Sequence, residues 1–309
     1  MTEAGQRHCE KKGRRPAPIP HGVGAFSKEP FMFYLILAII SSALVSVVMR
    51  VSQKYARNNI SMLAANYVMC TAAAAFLAGG IVPAGEGAAL TMGLGSACGV
   101  LYLLGFVLLQ WNIRRNGVVL PATFQKLGVL VPTLAAVTIF GEPVRPLQMI
   151  GFAVALAAIL LMQPKGASTR EGKGFLPGLI ALLLCGGLSD VMSKVFQTWG
   201  NADHGNYFLV FTFLVALVLC FILCVVKKQS VTLPDILCGL ALGIPNYMSA
   251  RFLLWALKDL PAVVVYPSFS VGTIIAVTLV GVICFREKLE KRKLIALGMI
   301  LGALVLLNL

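Results

Sequence analysis

The chain is expected to be an all-α integral membrane protein of ten transmembrane helices, built as two inverted five-helix repeats. Three observations predict this class. Apolar residues make up 58% of the 309 residues and charged residues 12%, about half the charged share of an ordinary soluble domain, and the mean hydropathy is +0.86. Apolar stretches near the ~20 residues that a helix needs to span a bilayer recur at 31–50, 61–80, 88–111, 117–140, 145–163, 174–195, 206–226, 234–257, 261–284 and 291–309. The second half also repeats the first. Gly95, Gly99, Trp111 and Gly128 match Gly239, Gly243, Trp255 and Gly272 at one constant offset (95 to 239), and Phe140 and Glu142 match Phe285 and Glu287 one residue later. An odd number of spans per copy sets the copies upside down relative to each other, a common construction of secondary transporters.

Residues 1–30 form a basic tail punctuated by Pro16, Pro18, Pro20 and Pro30, and are expected to be disordered. They do not read as a convincing signal peptide, because the apolar stretch from Phe31 is too long for an h-region and reaches Arg50 without a small-residue cleavage site. Met32 is an equally natural start. The first repeat covers 31–163. Its third span carries Gly95 and Gly99 at GxxxG spacing, which lets backbones meet closely where lipid offers no hydrophobic drive for helix association. Its fourth span holds Lys126 between Pro121 and Pro132, and its fifth carries Ala153 and Ala157.

The second repeat covers 174–309. It answers with Gly239 and Gly243 in the eighth span, and with Gly298 and Gly302 in the tenth, where they match the two alanines as packing positions. Asn66-Tyr67 in the second span is paired with Asn206-Tyr207 in the seventh, and Arg50 with Gln53 is paired with Lys194 and Gln197. Pro121, Pro132 and Pro267 are expected to kink helices four and nine. Pro245 interrupts the backbone ladder of span eight, so a broken helix is expected there. Seven of the eight cysteines lie within predicted spans and none forms a CxxC pair. Cys220 and Cys224 share a helix face without a His or carboxylate beside them. The cysteines therefore read as small packing residues, and no metal is expected.

The net charge of +14 reads as membrane topology, and no nucleic acid is expected as a partner. Lys and Arg collect in the odd-numbered loops (Arg50, Lys54, Arg57; Arg114, Arg115; Lys165, Arg170, Lys173; Lys227, Lys228; Arg286, Lys288, Lys291, Arg292, Lys293), while even-numbered loops carry little beyond Arg145 and Lys258. Cytoplasmic loops are the basic ones, so the odd loops are placed inside and both termini outside. The tail, with Arg7, Lys11, Lys12, Arg14, Arg15 and Lys28, argues the other way.

The sequence resembles the EamA-type transporters of the drug/metabolite transporter superfamily over residues 31–309. The resemblance rests on the repeat-ending segments PTLAAVTIFGEPVRPLQMIGFAVALAAILLM (132–162) and TIIAVTLVGVICFREKLEKRKLIALGMILGALVLL (273–307). Each has an apolar helix, a turn at Glu142 or Glu287, and a final helix rich in small residues. The resemblance implies a ten-helix bundle that moves small metabolites by alternating access. It also shows a departure, because Phe31–Met49 holds none of the acidic residues that four-helix multidrug relatives carry in the first span.

Polar residues at membrane depth mark the candidate site. An ammonium at the middle of a spanning helix costs about 2.5–3.5 kcal/mol on insertion scales, so Lys126 is expected to face water, a ligand or a partner. Thr123 and Thr133 share its helix face, and Tyr266, Ser270 and Thr273 form the matching stripe in helix nine, with Ser270 standing opposite Lys126 in the repeat. Asp190 in helix six is a candidate for proton coupling or for pairing with Lys126. Its favoured reading is an ion pair with Lys194, four residues on and in the favourable order. Arg251 in helix eight, beside Asn246 and Tyr247, is a candidate for holding a carboxylate or phosphate, with snorkelling to the interface as the rival reading. Tyr102 and Asn66 are candidate cavity-lining residues. Trp111, Trp255, Trp199 and Tyr207 fit interfacial belts.

Together these residues predict a secondary transporter of an anionic or zwitterionic metabolite, with a multidrug or cation exporter on the same scaffold as the alternative. An intramembrane enzyme needs a catalytic constellation, and His8 and His21 lie in the tail while His204 stands alone in a loop. No cofactor is expected. The expected partners are a small metabolite and membrane lipids, with a homodimer left open, in a bacterial-type plasma (inner) membrane.

Overall fold

The computed structural model describes residues 29–116, 119–162, 176–285 and 291–308. The tail with Cys9, His8 and His21, the basic residues Lys165, Arg170, Lys173, Arg286 and Lys288, and Glu287 lie outside them, as do the side chains of Thr123 and Lys293. Among the described residues the chain forms α1 (Glu29–Ser52), α2 (Asn59–Ala78), α3 (Ala88–Asn116), α4 (Val119–Leu127), α5 (Leu130–Thr138), α6 (Pro146–Met162), α7 (Leu176–Trp199), α8 (Gly205–Val226), α9 (Leu233–Asp259), α10 (Ala262–Phe285) and α11 (Lys291–Asn308). Seven of these helices are long and apolar enough to cross a membrane, and shorter apolar helices run over Phe124–Thr138, Pro146–Leu161 and Leu294–Leu307. Helices suit such a chain because every backbone donor and acceptor is satisfied within the segment. Large apolar side chains point outward along them, among them Ile36, Ile40 and Leu44 on α1 and Phe221 on α8.

Among the described residues all ten apolar stretches fall mainly on helix, but the fourth is two helices. Pro132 lacks the N–H that would bond the Gly128 carbonyl. That carbonyl accepts instead from Val131 N at 3.1 Å, and Val129 N reaches only Lys126 O at 3.5 Å. The ladder therefore breaks between α4 and α5, two residues beyond Lys126. Pro121 and Pro132 sit in the first turns of α4 and α5 rather than at kinks, in positions where proline is tolerated. Pro245 does not break its helix, contrary to expectation: α9 runs continuously through it, and α10 runs through Pro267. A single missing donor is absorbed in the interior of a long helix whose other bonds persist.

The two GxxxG pairs make the closest helix contacts. A Cβ on Gly95 would lie 2.7 Å from Phe208 O and 2.8 Å from Phe211 Cβ, and one on Gly99 would press on Thr212 O, all on α8. A Cβ on Gly239 would press on Met62 O and lie 2.5 Å from Ala65 Cβ, and one on Gly243 would lie 2.8 Å from Asn66 O, all on α2. The two contacts use the same atoms in the same order, which matches Met62 with Phe208 and Asn66 with Thr212. The pairing of Asn66-Tyr67 with Asn206-Tyr207 is thus out of register by six residues. Dipeptide identity misled there, and helix packing sets the true alignment. In the corrected register Tyr67 matches Phe213, and their rings meet at the centre of the bundle, 6.3 Å apart.

The remaining contacts exchange in the same way. α9 packs on α1 as α3 packs on α7, α10 packs on α1 as α4 and α5 pack on α7, and α6 packs on α11. A Cβ on Gly128 would approach Leu183 O, and one on Gly272 would approach Ile39, the counterpart of Leu183. The α6–α11 contact runs through Gly151, Ala303 and Leu307. Gly298 and Gly302 have open space around them, and Ala153 and Ala157 are exposed, so these four do not pack as expected. Their spacing suits a contact, but they occupy the outward face of the helix pair. The cysteines behave as small packing residues: Cys70 Sγ lies 3.3 Å from Gly243 O and Cys185 Sγ 3.2 Å from Leu101 O.

The bundle has two distinct ends. Arg57 and Asn58 meet Asp235, and Arg57, Arg114, Lys227 and Gln229 line one basin, which defines a basic end. At the other end Phe140 packs on Trp199 and Glu142 reaches α10. A leucine at Gly99 or Gly243 is expected to destabilise the detergent-purified protein by at least the ~1–3 kcal/mol of an overpacked core. A leucine at Gly302 is expected to stay within about 0.5 kcal/mol. Thermal unfolding of the three variants checks the order.

Candidate functional site

Four helices that pack by the exchanged contacts leave a chamber of about 300 Å³ between them. Lys126, Gln125, Gly128 and Val129 come from the α4–α5 break, Gly186, Ser189 and Asp190 from α7, Tyr266, Phe269, Ser270 and Thr273 from α10, and Ser42 from α1. The lysine sits at the end of α4, beside the interrupted ladder, and its exposed side chain lines the chamber. Broken helices of this kind are tolerated at membrane depth where they line a cavity. Lys126, Asp190, Tyr266 and Ser270, each read as a candidate from sequence, are thus brought to one place.

A second chamber of about 280 Å³ lies beside the first and shares Gln125, Gly186 and Ser189 with it as lining. It contains Asn66, Asn246 and Tyr102 among apolar and aromatic walls from Leu63, Tyr67, Phe106 and Leu109. Asn246 Nδ2 donates to Asn66 Oδ1 at 3.2 Å. Among the described residues, Asn66 Nδ2 and Thr273 Oγ1 are buried without a hydrogen-bond partner. Native interiors rarely leave such groups unpaired; these two residues line the chambers, Thr273 the first and Asn66 the second. Leu109 of this chamber precedes Gln110 of the basin at the basic end, and Leu63 lies one turn from Ile60 of that basin.

At the opposite end side chains bridge the helices. The two oxygens of Glu142 accept from Ala262 N and Val263 N, each at 3.0 Å, capping α10. Lys194 Nζ lies 2.7 Å from Glu142 Oε1 and 5.9 Å from the centre of the Phe140 ring, with both charged side chains largely buried. Tyr266 Oη donates to Asp190 O at 2.5 Å, tying α10 to α7 one turn deeper. Carboxylates favour helix N-termini, and here one carboxylate joins the first half of the chain to two helices of the second.

Three expectations are corrected. Asp190 does not pair with Lys194, because Lys194 turns to Glu142 while Asp190 lines the chamber. Arg251 is not among the residues lining either chamber. It lies five residues beyond Asn246, about 140° around the helix at 3.6 residues per turn, and its guanidinium stacks on Trp255 at 4.4 Å. His204 is not isolated in a loop but buried, 3.4 Å from Thr91 Oγ1. Sequence reasoning missed Gln125, Ser189 and Ser42 as lining residues. The first two immediately precede Lys126 and Asp190, which is the signal that could have marked them. It also took Glu142 for a turn residue only, since nothing local shows that it bonds to residues 120 positions away.

The sequence model of the EamA-like transporter family matches residues 32–163 and 174–309. An uncharacterized protein of Haemophilus influenzae is 27% identical over 275 residues, covering 84% of this chain and 92% of that protein. A solved crystal structure of a protein 16% identical in sequence superposes with a TM-score of 0.74, covering 91% of this chain and 96% of the other.

Replacing Glu142 by Ala removes the helix cap and leaves Lys194 without its carboxylate. We expect a loss of about 3–5 kcal/mol, as for breaking a buried ion pair. Lys194→Met is expected to cost less, because Glu142 keeps both amide donors. Thermal denaturation in detergent tests the ranking, which the reverse order would contradict.

Proposed function

This chain belongs to the EamA-like transporter family, and from that premise we propose that it carries a small anionic or zwitterionic metabolite through the two chambers by alternating access. It is a transporter and an integral, multi-pass membrane protein. The carrying observation is that Lys126 and Asp190 face one chamber of about 300 Å³ and make no ion pair with each other or with any described residue. A carboxylate placed at the ammonium gains a charge-assisted hydrogen bond, and an amino group on the same molecule is placed to meet Asp190. Asn66, Asn246 and Tyr102 contact the remainder. In this reading Asp190 also takes up and releases the proton that couples the cycle, and Arg251 stays outside the binding step.

Ten spans in two inverted copies suit the contacts. α1 ends at the basic end while its counterpart α7 ends at the Glu142 end, so equivalent helices run in opposite directions. The second chamber's lining lies next in sequence to that of the basin holding Arg57 and Arg114, which supports a conformation open at the basic end and closed at Glu142. By the positive-inside rule the basic end faces the cytoplasm of a bacterial-type inner membrane. Transport then requires the Glu142–Lys194 closure to part as the basic end narrows.

The test is uptake into vesicles with labelled amino acids, organic acids, sugars and lipophilic cations under imposed pH gradients. Lys126→Met is expected to lower flux of the recognised metabolite by about tenfold to a hundredfold, matching the ~1.5–3 kcal/mol of a hydrogen bond to a charged group. Wild-type flux through a normally inserted Lys126→Met protein contradicts the assignment. Efflux of lipophilic cations that needs Asp190 but not Lys126 would favour a cation exporter instead.

A further inference from the structure

At the basic end, away from the central chambers, an apolar slot of about 420 Å³ lies between α2, α8 and α9. Its walls include Ala64 and Val68 from α2, Leu217, Phe221 and Val225 from α8, and Leu240 from α9. It runs along α8 from Leu217 to Val225, about 12 Å at 1.5 Å per residue. Lys228 and Gln229 close its end, and Gln229 is shared with the neighbouring basin of about 470 Å³ that holds Arg57, Arg114 and Lys227. An apolar slot therefore lies beside a cluster of cations and shares Gln229 with it.

The cations are not there to balance acids. Among the described residues none of Arg57, Arg114, Lys227 and Lys228 makes an ion pair. The nearby Asp235 is fully buried, and its oxygens are occupied by Arg57 N, Asn58 N, Thr232 N and Thr232 Oγ1 at 2.6–3.1 Å. The same network fixes the shape of the site. Asn58 Nδ2 donates to Gln229 Oε1, and Ser61 Oγ donates to Ser230 O at 3.3 Å. The turn after α8 is thereby clamped to the turn before α2. Lys228 takes the left-handed conformation (φ 47°) just past the helix end, the usual way of turning the chain sharply after a helix.

We propose that this end of the bundle holds an anionic phospholipid, its acyl chain in the slot and its phosphate among Arg57, Lys227 and Lys228. Charge complementarity selects the headgroup: four unpaired cations suit a net negative lipid and gain little from a zwitterionic one. The apolar slot selects a lipid over a soluble anion. The site uses no residue of the central chambers, so it stands whatever the protein carries.

The test titrates phosphatidylglycerol, phosphatidylcholine and inorganic phosphate into the full-length protein in detergent and follows the thermal midpoint. Phosphatidylglycerol is expected to raise the midpoint saturably, with phosphatidylcholine and phosphate nearly inert. The double variant Lys227→Gln/Lys228→Gln is expected to need about 30-fold more phosphatidylglycerol, from the loss of two interfacial lysines, while Lys227→Arg/Lys228→Arg retains the wild-type response. Val68→Trp, which fills the slot from its lipid-facing side, is expected to weaken the response with the charges intact. Equal effects of the two lipids overturn the proposal. So does an equal effect of phosphate, which would mark a plain anion site, or a response that rising salt leaves untouched.

Discussion

Close backbone contact between α3 and α8, and between α9 and α2, is the constraint on which the rest of the bundle depends. Lipid tails are as apolar as leucine, so these helices gain nothing from hiding hydrophobic surface from each other and rely on packing at short range. Glycine at 95, 99, 239 and 243 is what allows it, because a methyl group at any of the four would press on a facing helix. Once both contacts form, the registers of four helices are set. Between them Phe213 meets Tyr67 at a tilt and Tyr102 and Tyr247 edge-on. The other helices then pack by exchanged pairs, and the space left between α1, α4, α7 and α10 is the chamber.

That chamber shows how one local defect serves the site. Pro132 withholds a single hydrogen bond, the fourth apolar stretch splits in two, and Lys126 lies beside the split. An intact helix packed on all sides would bury the ammonium without water or counterion, at a cost that intramembrane lysines avoid. The break and the cavity it lines make the residue tolerable, and the same openness makes it available to a ligand. Asp190 comes from the other half of the chain, where the matching position in the first half is Ser46. The two halves therefore share a scaffold, and their differing side chains create a polar, asymmetric interior.

Much of this was legible in the amino-acid order. Length and hydropathy located the described helices except for the split of the fourth stretch, the offset between glycines exposed the duplication, and membrane depth singled out Lys126 and Asp190. What failed, failed for physical reasons. The match of Asn66-Tyr67 to Asn206-Tyr207 relied on letters rather than on which residues face the glycines. Arg251 was placed by depth and by its nearness in sequence to Asn246, and neither says which side of a helix a residue occupies. Gly298 and Gly302 have the spacing of a contact but face outward. Asp190 and Lys194 share a helix face, yet Glu142 wins the lysine because it also caps α10, a long-range arrangement that no local pattern reveals.

The polar chamber is proposed to open at the basic end and to be held shut at the other by Glu142. The most direct measurement of this is the rate at which a membrane-impermeant thiol reagent labels Ser270→Cys from each side of oriented vesicles, above the background of the parent chain. The account predicts faster labelling from the side bearing Arg57 and Arg114, and a shift toward the opposite side when Glu142 is replaced by Ala. Labelling from neither side, or a ratio that the Glu142 change leaves untouched, would contradict it.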